Sequence, residues 1–496
     1  MSKKKSLEKT VLDLSENHKL IVVSNRGPIQ YRIDNGDLVA SRGGGGLIAA
    51  LDSVLKLTRS LWIAAAMSPG DREVAAQADT IGIPPDKPLY QVKLVELEPN
   101  VFDQYYNKIS NRYLWYLQHY LFDAIRQPSI DKEVKLAWTN GYVAANKKFA
   151  DVIIENSKKD ESPIILLQDY HLYLAAGFIR RRKPKAILFH FIHIPWCCPD
   201  YLRILPTEFR RAILQSLLEN NIVGFHSWRY VRNFLYCCQE FLGHKIDLRK
   251  HRVYIGDRIV RVKAYPISVD AKELTTFSTT PAVLSAEEEI IKAGERYKLI
   301  IRVDRAELSK NIVRGFEAYA HFLREHPQWQ KKVQFLAFAY PTRSGIEEYG
   351  VYRQEMEAKT EEINLEFGDN DWLPIDLRIS DNYPRSVAAL KNYDVLLVNP
   401  IFDGMNLVAK EGAILNKKNG VILLSENAGA YDELRDGVLS INPFDIENTG
   451  ANIYKALNMA PIEREAHAKR LQGIIKRNDI YAWLYHQLRD IEKLTL

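Results

Sequence analysis

The sequence predicts an α/β fold made of two doubly wound domains, and three observations lead there. The chain has 496 residues, too many for one ordinary domain and enough for two that each bury a core. Short apolar runs suited to buried parallel strands alternate with helical stretches, which is the βαβ pattern. Each run ends in a loop of charged, hydroxyl or glycine residues, and in a doubly wound fold such loops collect along one edge of the sheet.

Composition narrows the class. Hydrophobic residues make up 46% and charged residues 26%, the balance of a globular protein, and the formal net charge of +6 is too small for its length to suggest a nucleic-acid binder. The four cysteines form two adjacent pairs, Cys197-Cys198 and Cys237-Cys238, without zinc-ligand or C-x-x-C spacing. No metal site is expected, and a reducing cytoplasm is the expected location. No apolar run approaches the ~20 residues that span a bilayer.

In chain order, residues 1–18 read as a charged, frayed leader, without the apolar core of a signal peptide or an anchor. Residues 19–272 form the expected first domain. Its first strand, 20–23, ends in Ser24-Asn25-Arg26, which places an arginine at a carboxyl strand end where a phosphate or carboxylate could be met. The run Arg42-Gly43-Gly44-Gly45-Gly46 feeds a helix, and its glycines would let backbone amides approach a ligand closely, although the spacing is neither Walker nor dinucleotide-binding. Residues 101–127 are rich in aromatics, among them Tyr105, Tyr106, Trp115 and Tyr116, and most of these should be core. Strands at 164–167, 186–189 and 222–225 run into Gln168-Asp169-Tyr170-His171, the segment from His190 to His193, and His226. Several polar groups leaving adjacent strands on one edge point to a site. The cationic stretch Arg180 to Lys185 closes a helix before a proline-containing turn and needs no nucleic acid to explain it.

The second domain is expected over 273–478, with strands at 299–301, 333–336, 395–398 and 421–424. Their loops are Arg302-Val303-Asp304-Arg305 with Ser309-Lys310, Pro341-Thr342-Arg343, the segment from Asn399 to Glu411, and Ser425 to Ala430. The third loop is the most distinctive. A buried strand leads into a turn whose Gly404 permits close backbone approach, and a helix follows with its amides free, which is an anion site. Asp403 and Glu411 lie up to roughly 12 Å apart at helical rise, about the reach of a sugar and a phosphate bridge. Arg305 and Lys310 add two cations beside that helix, a fitting environment for a departing nucleoside diphosphate. The reading from the residues alone is a cleft between the domains with cations on both walls, serving transfer from a phosphorylated donor.

These segments resemble the trehalose-6-phosphate synthase family in order and approximate spacing. The likeness is carried by Ser24-Asn25-Arg26, Gly45-Gly46-Leu47, Tyr106 with Trp115, Asp169-Tyr170-His171, His193-Ile194-Pro195 and Tyr265-Pro266-Ile267. It continues through Arg305 with Ser309-Lys310, Pro341-Thr342-Arg343, Asp403-Gly404-Met405-Asn406-Leu407-Val408-Ala409-Lys410-Glu411 and Asn442-Pro443-Phe444-Asp445. The resemblance implies a GT-B fold of two Rossmann-like domains, with a C-terminal helix over 479–496 returning to the first. It implies a metal-independent, retaining glucosyltransferase without a cofactor, in which a nucleoside-diphosphate glucose, chiefly UDP-glucose, is a substrate and glucose 6-phosphate the acceptor. By matching position, Arg305 and Lys310 would hold the donor diphosphate, Leu407 to Glu411 the nucleotide phosphate and ribose, and Asp403 and His193 the transferred glucose. Gly45 and Gly46 would lie near the donor, with Gly404, Met405 and Asn406 in the same loop. Arg26, Tyr106, Trp115, Asp169 and Arg343 would grip the acceptor.

Departures from the family pattern bear on the acceptor. Trp62-Ile63-Ala64-Ala65 replaces a Trp-Ser-Gly element, Lys310-Asn311 replaces Lys-Gly, and Ser268-Val269 replaces Gly-Ile. Together with the segment from Asp200 to Pro206 these resemble the cyclitol-coupling validoxylamine-phosphate synthases, whereas the intact segment from Asp403 to Glu411 favours true glucosyl transfer. Glycerol 3-phosphate or a cyclitol phosphate is the alternative acceptor, and a non-catalytic sugar-phosphate sensor the alternative class. No membrane partner is expected, a homo-oligomer is open, and no phosphatase domain is expected after the last helix.

Overall fold

The computed structural model describes residues 3–42, 51, 55–56, 60–84, 86–343 and 345–495. The chain divides into two compact units, one comprising Met1–Pro266 with Ile480–Leu496 and the other Ile267–Asp479. The expected boundaries at 272 and 478 thus shift to 266 and 479. Residues 267–272 belong with the second unit because the Ile267 carbonyl accepts a hydrogen bond from the buried Lys410 ammonium at 2.7 Å.

In the first unit the strands are β1 (Leu20–Ser24), β2 (Ile29–Asp34), β3 (Asp37–Arg42), β4 (Leu61–Ala65), β5 (Ile81–Ile83), β6 (Tyr90–Val95), β7 (Ile164–Gln168), β8 (Ile187–Phe191), β9 (Ile222–Phe225), β10 (Lys245–Asp247), β11 (Arg252–Ile255) and β12 (Arg258–Ala264). β2 and β3 pair as a separate hairpin, and the others form a ten-stranded sheet in the order β10-β11-β12-β9-β8-β7-β1-β4-β6-β5. From β12 through to β6 every neighbour is parallel. β1, β4, β7, β8 and β9 are buried along their whole length, which is why they read as continuous apolar runs rather than alternating ones. Chain order reverses between β1 and β7, and that switch point opens a crevice at their carboxyl ends.

The leader is not frayed. Lys3–Asn17 is a helix that buries Leu7, Val11 and Leu14 and packs on the helix Ile480–Thr495. The apolar residues recur every three or four positions, so a lysine-rich sequence still carries one apolar stripe, and the C-terminal helix supplies its partner. That C-terminal helix is itself tied into the first unit. Its Trp483 indole donates to the Tyr265 carbonyl at 3.1 Å, and its Asp490 accepts from Lys263 at 2.7 Å and the Tyr265 hydroxyl at 2.9 Å.

The second unit contains β13 (Lys298–Arg305), β14 (Val333–Tyr340), β15 (Ile375–Ile379), β16 (Val395–Val398), β17 (Val421–Ser425) and β18 (Leu439–Ile441). All pair in parallel, in the order β15-β14-β13-β16-β17-β18, so the switch point lies between β13 and β16. Its core joins Ile300, Phe335, Val395, Leu397 and Leu423 of the sheet to Phe316 and Tyr319 of the helix Ile312–Glu325 and Ile453 of Ile446–Asn458. Among the described residues no helix is long and apolar enough to cross a membrane.

Candidate functional site

The loops that leave β13 and β16 meet at the switch point of the second unit. β13 continues to Arg305, so Arg302 and Asp304, expected in a loop, are strand residues. They stay in the strand because they satisfy each other in the interior: the Arg302 guanidinium pairs with Asp304 at 3.0 Å, and the two side chains are nearly inaccessible. Arg302 also donates to Asn399 Oδ1 at 2.6 Å and to the Lys310 carbonyl, which clamps the two loops together. Asn311 completes the clamp from a left-handed backbone (φ 59°), donating to the carbonyls of Asn399 at 3.1 Å and Pro443 at 2.7 Å. Asparagine tolerates that conformation better than most residues, which accounts for its standing where the family pattern has glycine.

Lys310 and Asp403 form a buried ion pair across the junction of the loops. Burial alone would lower the Lys310 pKa, but the carboxylates of Asp403, Asp304 and Glu307 outweigh it and raise the pKa, so the ammonium stays charged. Burial pushes the Asp304 carboxyl up to about 6, offset in part by Arg302 and Lys310. Asp403 accepts a further hydrogen bond from Asn406 Nδ2 at 3.1 Å. Asn406, also left-handed (φ 71°), caps the helix Leu407–Leu415 by accepting from the Ala409 amide at 3.4 Å. One asparagine therefore holds the carboxylate that pairs with Lys310 and starts the helix, leaving first-turn amides at its N-terminus.

The loop of Asp403 is fixed from the far side by residues after β17. The Gly429 amide donates to the Asp403 carbonyl at 3.1 Å, Asp403 donates to the Asn427 carbonyl at 3.3 Å, and Ala430 donates to the Met405 carbonyl at 2.8 Å. A Cβ on Gly429 would lie 1.9 Å from the Gly404 carbonyl oxygen, so the close approach foreseen at Gly404 is made against a second glycine.

Not every residue of the distinctive segment faces outward. The Lys410 ammonium is buried between the Ile267 carbonyl and Glu433, at 2.5 Å from the latter, so its side chain ties the helix into the unit. Glu411 is half-buried, and desolvation raises its carboxyl to about 7. It acts electrostatically on Tyr340 and Tyr383, at the carboxyl end of β14 and the start of the helix Tyr383–Asn392.

Arg305 is half-exposed, and its guanidinium lies 2.9 Å from Glu307, a fully buried carboxylate that sequence reasoning passed over. Arg343, expected on the acceptor side, pairs with the same oxygen at 3.4 Å and also donates to the Tyr349 hydroxyl at 2.5 Å. A charged residue buried next to two arginines leaves no periodic trace in the sequence, and only the pairing reveals it.

In the first unit the expected residues also gather at the switch point. Arg26 follows β1 and is exposed. Asp169 follows β7 with φ 68°, a conformation costly for a non-glycine residue, and its carboxylate accepts from the His193 amide at 3.1 Å. His193 Nε2 is 3.0 Å from Gln168 Oε1, so with Gln168 accepting, Nε2 carries the proton and Nδ1 is left as an acceptor. Burial first, then His226 and His190, hold its imidazole well below the usual 6.5, and it is neutral at physiological pH. Tyr106 stacks on His171 at 5.6 Å and on Phe102 at 5.2 Å. Trp115 is only 2% exposed and stacks on His119 at 4.0 Å. Gly45 and Gly46 lie outside the described residues. Among the described residues no group of three or more His, Cys, Asp or Glu side chains is arranged to hold a metal ion.

The family model for glycosyltransferase family 20 matches residues 18–493. The UDP-forming alpha,alpha-trehalose-phosphate synthase A of Dictyostelium discoideum is 31% identical over 484 residues, 96% of this chain but 63% of its own length, so this chain spans less than two thirds of that relative. The UDP-forming synthase of Schizosaccharomyces pombe is 32% identical over 484 residues, 95% of this chain and 90% of its own. Among solved structures, the E. coli trehalose-6-phosphate protein bound with UDP-2-fluoro glucose aligns with a TM-score of 0.83 at 26% identity, over 95% of this chain and 98% of that one. The Burkholderia xenovorans UDP-forming synthase in complex with glucose-6-phosphate aligns with a TM-score of 0.80 at 27% identity, over 96% and 100%. The fold is GT-B, with two Rossmann-like units, and the chain belongs to glycosyltransferase family 20, the trehalose-6-phosphate synthases.

Proposed function

We propose that the protein is a retaining glucosyltransferase that moves glucose from UDP-glucose to glucose 6-phosphate, giving trehalose 6-phosphate. The observation that carries this reading is the junction in the second unit, where the Lys310–Asp403 pair adjoins the cap residue of the helix Leu407–Leu415 and Arg305 lies within electrostatic reach of Lys310. Cleaving a glycosyl–diphosphate bond concentrates negative charge on the leaving oxygen, and fixed cations with helix amides stabilise that charge without reorganising. In this reading Arg305 and Lys310 hold the diphosphate, the helix amides after Asn406 meet the nucleotide phosphate, and Glu411 meets the ribose. Asp403, held by Lys310 and Asn406, accepts from glucose hydroxyls.

His193, neutral and protonated at Nε2, presents an acceptor for the transferred sugar, with Gln168 fixing the tautomer. Asp169 and Arg26 bind the acceptor's hydroxyls and phosphate, with Tyr106 beside them. No protein nucleophile enters; the acceptor hydroxyl attacks from the side the diphosphate leaves, and its proton passes to the departing phosphate oxygen. Positive charge for the departing group comes from side chains, and the reading includes no metal ion.

The test is incubation of the purified chain with labelled UDP-, GDP- and ADP-glucose against glucose 6-phosphate, glycerol 3-phosphate and a cyclitol phosphate. UDP release and trehalose 6-phosphate from the first pairing are expected. Preference for another acceptor would overturn the acceptor, and no diphosphate release from any pair would overturn the enzyme.

A further inference from the structure

We propose that Glu307 is a positioning residue that seats the guanidiniums of Arg305 and Arg343 on one carboxylate oxygen, so that the groups for the donor diphosphate and the acceptor phosphate are oriented together. The inference deepens the transfer reading above and rests on it. Glu307 Oε1 lies 2.9 Å from Arg305 and 3.4 Å from Arg343, and the Glu307 side chain is completely inaccessible. A buried carboxylate persists only when cations and donors satisfy it. It also repels a phosphate, so contact with an anionic ligand does not explain its place, whereas fixing two guanidiniums does.

Neither guanidinium is used up by the contact. Each carries five N–H donors, and Arg305 remains 53% exposed. Arg343 is held further by its bond to the Tyr349 hydroxyl and lies over that ring at 5.4 Å. Its backbone sits at φ 49°, a conformation kept where surrounding contacts over-determine it. The main chain of Glu307 works in the same direction. Its amide donates to the Arg305 carbonyl at 2.7 Å and its carbonyl accepts from the Lys310 amide at 3.0 Å, so one residue sets the turn that carries both donor-side cations. An arginine free to rotate loses order on each binding event, and a shared anchor removes that loss for both ligands.

The experiment measures KM for UDP-glucose and for glucose 6-phosphate, with kcat, in the full chain and its variants. Glu307→Gln, which keeps shape and removes charge, is expected to raise both KM values about tenfold while kcat falls less, and Glu307→Asp to recover most of the loss. A merely structural residue would lower the unfolding midpoint and leave both KM values of the folded fraction unchanged, and that result overturns the proposal. As a measurement independent of folding in Glu307 variants, Arg305→Lys and Arg343→Lys are combined. Their effects on kcat/KM are expected to fall short of the product of the singles by about fivefold, because both act through one anchor. A double variant within about twofold of the product overturns the proposal even if Glu307→Gln does not fold. Absence of turnover in the unaltered chain overturns the transfer reading and this proposal together, whereas a fully active Glu307→Gln overturns this proposal alone.

Discussion

Gly429→Ala tests whether the loop of Asp403 is positioned from behind. The added Cβ would lie 1.9 Å from the Gly404 carbonyl oxygen, 2.8 Å from its carbonyl carbon and 3.2 Å from Met405 Cα. A carbon and a carbonyl oxygen approach no closer than about 3.3 Å, so one backbone must retreat by roughly 1.4 Å. The three hydrogen bonds that join the loops, from Gly429, Asp403 and Ala430, span 2.8–3.3 Å and cannot follow such a shift. At about 1 kcal/mol each, their loss destabilises the fold by about 3 kcal/mol. Asp403 moves with the loop, away from Lys310 and Asn406. A displacement of about 1 Å at a reacting centre costs about a hundredfold in rate. The assay is UDP release from UDP-glucose and glucose 6-phosphate, paired with urea unfolding. Gly473→Ala is the control, because a Cβ there meets nothing nearer than Arg477 Nη1 at 3.8 Å, within the helix Pro461–Arg477. It should leave the rate unchanged and add about 1 kcal/mol of stability. A kcat/KM for Gly429→Ala within about threefold of the parent would refute the positioning argument.

Arg305→Ala should cost about 3 kcal/mol in the transition state, about a hundredfold in kcat/KM, together with about 1–3 kcal/mol of stability, because it takes a cation from the inaccessible Glu307 carboxylate. Lys310→Ala removes one partner of a buried pair and should destabilise by about 3–5 kcal/mol in chemical unfolding. Glu411→Gln should change the pH dependence of stability. The folded carboxyl is raised to about 7, so from the ordinary 4.5 upward the folded state keeps a proton that the unfolded state has released. Stability therefore falls as pH rises through that window, and the variant should gain on the parent by at most about 3 kcal/mol between pH 4.5 and 7. A pH-independent difference in unfolding free energy would mean that Glu411 titrates normally. Leu7→Ala, in the N-terminal helix, should cost about 2–4 kcal/mol, since the side chain is 2% exposed; a change below about 0.5 kcal/mol would restore the frayed leader.

The two sheets were legible because parallel strands buried on both faces are runs of consecutive apolar residues. Residues 20–23, 164–167, 222–225 and 395–398 are such runs, and each is a strand. Strands that a period could not announce were missed. β15 is only partly buried and carries Asp376 and Arg378, which pair with each other, so its pattern is that of a polar loop. The N-terminal helix failed for a related reason: four lysines hide an apolar stripe whose value depends on a helix more than 460 residues away, and no local window contains both.

The site shows the same division. Lys310 and Asp403 could be named because a cation and a carboxylate in two strand-end loops become neighbours once the sheet order places β13 beside β16. What could not be read was the direction of each side chain. Lys410 and Glu411 are consecutive on one helix, and consecutive helical residues point about 100° apart. Lys410 turns inward to Glu433 and the Ile267 carbonyl, while Glu411 lies within electrostatic reach of Tyr340 and Tyr383. A specific motif thus contains residues whose side chains serve the packing, such as Lys410, and only the geometry sorts them from the rest. By that measure Lys410→Met should act on folding: removing the buried ammonium takes the cation from Glu433, leaving it the Asn478 amide at 3.3 Å, and frees the Ile267 carbonyl, and should destabilise by about 2–3 kcal/mol. KM for UDP-glucose in the folded fraction should remain within about twofold of the parent. A large rise in that KM without loss of stability would instead place the Lys410 side chain at the nucleotide.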